Sequence, residues 1–332
     1  MRKKGFNIQM FAQGDNNNQA ARSYSKDFKE LLQAVFGKQS YFGDFFAGGL
    51  EAIDGIQHKD TAFSVKTSDV ACVVTKGSLA AGGTPAYDTG ANVGMGTGTG
   101  STSRFGNRTE IIYVDTDVPY TWDWVIHEGI DRHTVNNSLD SAVADRLELQ
   151  AQKKIDLFNA QHGAFISSVA KKTINKTAAI SKDNVGDLFN ELHAYFVNIG
   201  AKGVKRAKVK ADVYSAIVDS GLMVTSKGGS VSENDQTVEK FKGFIIEEVP
   251  EDLFVETSST SEGSTTTVSD MVYAYVENVG KAFTGIETAR TIESEDFDGV
   301  ALQGAGKAGE WILPDNKAAV AKVTLTTTSS AA

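Results

Sequence analysis

The chain has a single cysteine among its 332 residues. Cys72 alone closes no intrachain disulfide and forms no Cys-x-x-Cys pair, so a disulfide-stapled scaffold and a thiolate metal knuckle are excluded. Four prolines leave no proline-rich spacer. No apolar run reaches the roughly 18 residues a membrane-crossing helix requires. The start Met1-Arg2-Lys3-Lys4 is basic, but Gly5 to Gln9 is not the apolar core of a secretory signal. A soluble protein made inside the cell is the expectation. Asp and Glu outnumber Lys and Arg, 42 to 33, for a net charge of −9.

Chemical motifs are missing as well. His127-Glu128 and His133 make HExxxxH, not the i, i+4 spacing of a zinc helix. Asp296 and Asp298 precede Gly299 as in a calcium loop, yet the twelfth position from Ser294 is Ala305, where a bidentate Glu is required. Gly94, Gly96, Gly98 and Gly100 form no GxGxxG between a strand and a helix, and no GKS or GKT occurs. No GxSxG elbow exists. Cys72 sits in an alternating apolar segment and reads as a buried, inert thiol. No catalytic residue, no cofactor-binding residue and no metal site is expected.

Hydrophobic residues make up 41% of the chain, enough for a sizeable core, and glycines number 32. The length suggests about two domains. Charge is uneven. Residues 1–30 hold six basic and three acidic residues, whereas residues 245–300 hold thirteen acidic and two basic. A basic arm thus precedes an acidic carboxy-terminal region; such an arm suits an acidic partner surface or nucleic acid.

Residues 1–22 are Asn-rich with little periodicity and read as disordered. Phe28, Leu31, Leu32, Val35 and Phe36 recur at helical spacing behind Ser25. An aromatic knot follows at Tyr41, Phe42, Phe45 and Phe46. Residues 61–75 and 109–126 alternate and are β-branched, which predicts the two strands of a long hairpin. Between them, residues 82–106 carry eight glycines and almost nothing to bury, so the hairpin tip should be mobile and project. The longest helical pattern runs from about Asn137 to Ala170, with Gly163 a candidate kink or early stop. A second helix is predicted over 181–199, capped by Ser181 and closed by Gly200. Lys205 to Ala211 alternates as a strand, and Asp212 is a candidate cap for a short helix. The stretch Lys202 to Lys210 reads as a solvated basic face or a subunit contact.

Strands are expected at Phe244 to Val249, Met271 to Val276 and Lys281 to Ile286, with a turn at Asn278 to Gly280. Further strands are expected near Val300 and Trp311 to Leu313. Residues 225–238 and 257–269 read as low-complexity loops, and residues 326–332 as frayed.

The order of parts resembles the major capsid protein of tailed bacteriophages, the Hong Kong 97 fold. Local phrases carry the same resemblance: NIQMFAQGD near the start, FKGFIIEEVPEDLF, and VGKAFTGIETARTIESEDFDGVALQGAGKAGEWILPDN. The opening phrase is similar to those of capsid proteins from phages of Gram-positive hosts. The resemblance implies an α+β fold with an N-terminal arm (1–60), an extended hairpin loop (61–126), a peripheral domain with a long spine helix (127–180 and 286–325), an axial domain (181–285) and a flexible tail (326–332). It implies a non-enzymatic protein that self-assembles as hexamers and pentamers into an icosahedral shell around packaged double-stranded DNA. The partners implied are other copies of itself, a portal and a separate scaffolding protein, since only about 60 residues precede the hairpin. It implies location in the virion after synthesis in the host bacterial cytoplasm, with no sequence-specific DNA binding and no membrane.

Some members cross-link Lys to Asn. Lys66 and Lys76 lie in or near the loop, but no motif marks a partner Asn or a catalytic Glu, so no cross-link is carried over. Two other readings stay open: a soluble binding module or enzyme whose Gly-rich segment is a mobile lid, and another virion subunit such as a tail tube.

Overall fold

The computed structural model describes residues 39–53, 61–68, 111–135, 139–220, 239–261, 264–294 and 297–330. The chain divides into Met1–Gly37 and Lys38–Ala332, and the architecture below belongs to the second unit. Cys72, Lys76, Asp296, the Gly-rich segment 82–106, the Ser25 helix and loop 225–238 lie outside the described residues.

The expected α+β class is what the structure shows, with strands dominating. The strands are β1 (Phe46–Ile53), β2 (Thr61–Ser68), β3 (Tyr113–Pro119), β4 (Trp122–Asp131), β5 (Lys172–Lys176), β6 (Lys205–Val209), β7 (Glu239–Phe241), β8 (Phe244–Glu248), β9 (Glu256–Ser261), β10 (Ser264–Val276), β11 (Gly280–Glu293), β12 (Gly299–Ile312) and β13 (Val320–Ser330). The helices are α1 (Leu139–Val169), α2 (Val185–Asn198) and α3 (Ala211–Asp219). One sheet has the order β5-β13-β10-β6-β8-β7, with β9 also paired to β10. A second has the order β1-β11-β12-β4, and β2 pairs with β3 alone.

The larger sheet is buried on both faces at its centre. Along β10, Val272, Ala274 and Val276 face the core built by α2 and α3, with Leu188, Phe189, Leu192, Phe196, Val213 and Ile217. The alternate residues Tyr273 and Tyr275 face a second core with Phe42, Phe45, Phe46, Ile166 and Val169. The period-2 geometry of a strand sends neighbours to opposite layers, so one strand serves both cores. The aromatic knot is therefore core: Phe45 meets Phe46 and Tyr275 edge-on, each at 5.0 Å between ring centroids.

Helix α1 links both sheets. Its middle packs Phe158 against Trp122, Trp124 and Ala308 of the four-stranded sheet. Its end enters the second core through Ile166 and Val169. At about 1.5 Å per residue, its 31 residues span roughly 46 Å. Gly163 was expected to kink or stop this helix, but α1 runs through it to Val169. The glycine serves close approach instead: a Cβ there would lie 2.4 Å from the Leu253 carbonyl oxygen.

Other expectations need correction. Residues 109–126 do not form one strand. The ladder with β2 ends at Pro119, and β4 starts at Trp122 in a different sheet, paired with β12. Residues 257–269 are not a loop. They form a β9–β10 hairpin in register from Ser261↔Ser264 to Glu256↔Ser269. Low complexity misled there because Ser and Thr still make cross-strand pairs, as in Ser258–Thr267 and Thr260–Thr265. Residues 326–330, expected to fray, continue β13 as far as the Ser330↔Ser264 pair. The strands expected near Val300 and Trp311 are one strand, β12.

The turn at Asn278 does not close a hairpin. Asn278 takes a φ of 60°, and β10 and β11 on either side belong to different sheets. Asn184, not Ser181, precedes α2, and its Oδ1 accepts from the Ser181 N–H at 2.8 Å. Asp212 lies inside the first turn of α3 and does not cap it. Gly200 does close α2, at φ +66°.

Candidate functional site

The histidine and carboxylate candidates are not brought together. His127 and Glu128 are neighbours on β4 and therefore point to opposite faces. Glu128 faces α1, where it accepts from Arg146 Nε and Nη2 at 2.6 and 2.7 Å and from Gln150 Nε2 at 2.7 Å. The Arg146 hydrogen bond is the main reason its carboxyl is held below the usual carboxylate range. His127 lies on the opposite, exposed face, 3.3 Å from Gln303. His133 and Arg132 approach Asp298 at 3.4 and 3.7 Å, so the candidate calcium aspartate Asp298 is engaged by the protein's own side chains. Among the described residues no cluster of metal-ligating side chains occurs. No described helix is long and apolar enough to cross a membrane.

The basic stretch is where the sequence misleads most. Arg206, Lys208 and Lys210 were expected on a solvated face or at a subunit contact. Alternation on β6 sends Ala207 and Val209 into the α2–α3 core and the three cations to the other side of the sheet. There Asp44 Oδ2 lies 3.0 Å from Arg206 and 3.1 Å from Lys208. Glu277 pairs with Arg206 and Glu247 with Lys208. Lys210 meets Ser269 Oγ at 2.7 Å and Glu251 at 3.1 Å. Tyr275 donates to Asp44 Oδ1 at 2.8 Å. Burial, with Asp44 beside it, raises the Tyr275 phenol well above its usual range. The alternation was legible, but the acids come from residues 44, 247, 251 and 277, which no local pattern joins to β6.

Two further buried polar clusters pin α1. Ser167 donates to Asp270 Oδ2 at 2.6 Å, Tyr273 donates to the same oxygen at 3.0 Å, and Lys322 approaches Oδ1 at 3.3 Å. His162 Nδ1 lies 3.0 Å from Glu310 Oε1, and Trp122 Nε1 donates to the same oxygen at 3.1 Å. Each cluster is closed by packed side chains and by its own polar partners. Such groups fix the helix to the two sheets; no reactive group faces a cleft among them.

What remains open to function is surface. The β2–β3 ribbon has no third strand among the described residues. Phe63 roots it against Phe283 at 5.1 Å and Trp311 at 6.2 Å. Beyond that root Ile112, Tyr113 and Val114 are half exposed or more. Lys66 pairs with Asp115 at 3.7 Å in the open. An isolated two-stranded ribbon is marginal in water, and further burial must come from elsewhere.

No protein-family profile matches the chain, and no curated protein does. Solved structures do. The capsid structure of the cyanophage P-SCSP1u overlays with a TM-score of 0.60 at 12% identity, covering 97% of this chain and 99% of that one. A structure from Mycobacterium phage Che8 overlays at 0.58 and 13% identity, covering 92% and 97%. The mature capsid of bacteriophage PhiM1 overlays at 0.57 and 12% identity, covering 90% and 91%. The chain has the fold of phage capsid proteins. At such identities it is the fold that is shared. The likeness extends over nearly the whole of both chains.

Proposed function

We propose that this chain is the major capsid protein of a tailed bacteriophage, assembling with copies of itself into an icosahedral shell that encloses packaged double-stranded DNA without catalytic turnover. The observation that carries the reading is the near-complete mutual coverage with phage capsid chains. The exposed ribbon supports it, because a second copy would supply the burial that the ribbon lacks.

In this reading the arm is drawn from residues 1–60, whose stretch Phe46–Ile53 is strand β1 of the four-stranded sheet, and the extended loop from residues 61–126, whose ladder of β2 with β3 ends at Pro119. The α1 helix lies in the peripheral domain (127–180 and 286–325), and α2 and α3 lie in the axial domain (181–285). Hexamers and pentamers would form the shell, with a portal and a separate scaffolding protein as partners. The DNA is enclosed rather than gripped: Arg206, Lys208 and Lys210 are engaged by the protein's own carboxylates and are not free for phosphates. The virion is the place of the assembled protein and the host cytoplasm the place of its synthesis. A Gram-positive host rests on the opening phrase NIQMFAQGD alone.

Negative-stain electron microscopy of the full-length chain tests the reading, expressed alone and with a scaffolding protein. Shells or rings are expected. A folded monomer that forms no particle under either condition overturns it.

A further inference from the structure

The exposed face of the four-stranded sheet carries a polar row, with one arginine in it, that nothing above uses. His127, Gln303 and Arg290 stand directly opposite one another on β4, β12 and β11. Arg290 Nε donates to Gln303 Oε1 at 2.8 Å, and Gln303 Nε2 lies 3.3 Å from His127 Nε2. The row crosses an open groove of about 420 Å³ whose lining includes Val125, Thr288 and Ala305. Val125 is 73% exposed and Ile292, one step along β11, is 38% exposed.

Arg290 differs from the other described arginines. Arg132, Arg146 and Arg206 each lie within 4 Å of a carboxylate, on Asp298, Glu128 and Asp44. Among the described side chains no carboxylate pairs with Arg290. Its Nε is committed to Gln303, which fixes the plane of the guanidinium and leaves the terminal fork for another acceptor. A planar fork of this kind matches a carboxylate. The chain itself is rich in that group, with 42 Asp and Glu against 33 Lys and Arg. The apolar flanks of the groove suit a protein surface better than a phosphate backbone.

We infer that the His127–Gln303–Arg290 row is a carboxylate-binding contact that receives an Asp or Glu side chain from a second copy of the chain. The inference rests on the shell reading and adds to it the position and chemistry of one contact between copies. Gln303 is a positioning residue: it holds the fork and does not meet the carboxylate.

The test compares particle formation by full-length wild type, Arg290→Ala and Arg290→Lys. Melting temperatures serve as the folding control, because the side chain is at the surface. Arg290→Ala should keep the wild-type melting temperature and need about tenfold more protein to reach half-maximal assembly. Arg290→Lys retains the charge and places a primary amine in the groove. Particles of that variant, assembled from a mixture of isotope-labelled and unlabelled copies and treated with a carbodiimide, should contain an amide between position 290 of one copy and an Asp or Glu of another.

Wild-type assembly by Arg290→Ala overturns the inference and leaves the shell reading standing. So does a cross-link at position 290 confined to one copy, or none at all. Arg290→Ala shells that assemble normally but retain less DNA point to phosphate and overturn it too. A wild type that forms no particles removes both readings.

Discussion

Lys208 Nζ lies 3.1 Å from Asp44 Oδ2, across 164 residues of chain. Lys208 is 1% exposed, and its second partner is Glu247. The contact joins the aromatic-knot segment to the middle of the larger sheet. A buried ammonium left without its carboxylates would be far costlier than the pair.

Removing one side of this pair should therefore destabilise strongly. Asp44→Ala is expected to lower unfolding free energy by about 3 kcal/mol, read from urea denaturation. Replacing both partners with apolar residues, as in Asp44→Leu with Lys208→Met, should cost less than Asp44→Ala alone. A double variant weaker than the single one would show that the remaining cations and acids depend on the pair.

Gly163 tests close packing against helix propensity. Alanine is the better helix former by about 1 kcal/mol. Its Cβ would nonetheless lie 2.4 Å from the Leu253 carbonyl oxygen, so Gly163→Ala should lose about 2 kcal/mol. Gly49 offers a control. Nothing lies within 4 Å of a Cβ there, and φ is +70°. Gly49→Ala should cost only about 1 kcal/mol, from the left-handed backbone.

Acid should loosen the first half of α1. The Arg146 hydrogen bond holds the Glu128 carboxyl below its usual range. The folded value is the lower one, so the stabilisation is present above the ordinary carboxylate pKa of about 4.3 and is lost as pH falls through the folded value. Relative to the intrinsic rate at each pH, the amides of residues 143–153 should exchange faster across that window in wild type. In Glu128→Gln they should exchange faster already at neutral pH and respond less to acid.

Alkali should act in the opposite sense on two phenols. Burial is the main cause that raises both Tyr273 and Tyr275. Their stabilisation is complete below the ordinary phenol pKa of about 10 and declines as pH rises above it. Absorbance at 295 nm, followed within seconds of a jump to pH of about 11.5, should show a fast phase from the accessible tyrosines. A slow phase from Tyr273 and Tyr275 should track unfolding by circular dichroism. Tyr275→Phe should shrink the slow phase. Titration of all nine tyrosines in the fast phase would show that this core is open to solvent.

The ribbon should respond to its root. Phe63 packs edge-on against Phe283 at 5.1 Å. Phe63→Ala should remove roughly 1 kcal/mol of aromatic contact and speed proteolysis within residues 61–119. The global unfolding midpoint should barely move. Unchanged proteolysis would place the anchor elsewhere, with Tyr120, which meets Phe283 at 5.7 Å, the next residue to replace.

Local pattern determined a great deal here. Val185, Leu188, Phe189, Leu192 and Phe196 recur at helical spacing, and all five are buried on the inward face of α2. The alternation of residues 61–75 and 109–126 located the ribbon, whose strands are Thr61–Ser68 and Tyr113–Pro119, and the long polar helix was legible from its spacing. These features follow from backbone periods of 3.6 and 2, which depend only on near neighbours. The reading of a capsid-type α+β chain agrees with the fold shared with phage capsid proteins.

Tertiary structure decided where charge and register went. Whether Lys208 faces water or Asp44 depends on which side of β6 the segment behind Phe42 covers, and nothing near Lys208 in the chain encodes that. The Ser- and Thr-rich residues 256–269 became strands because β13 lies ready to pair with β10, a contact across about sixty residues. Gly163 became a point of close approach because Leu253 packs on it. The sequence by itself set the elements and the faces they could bury; only the folded chain, by bringing distant segments into contact, selected the partners.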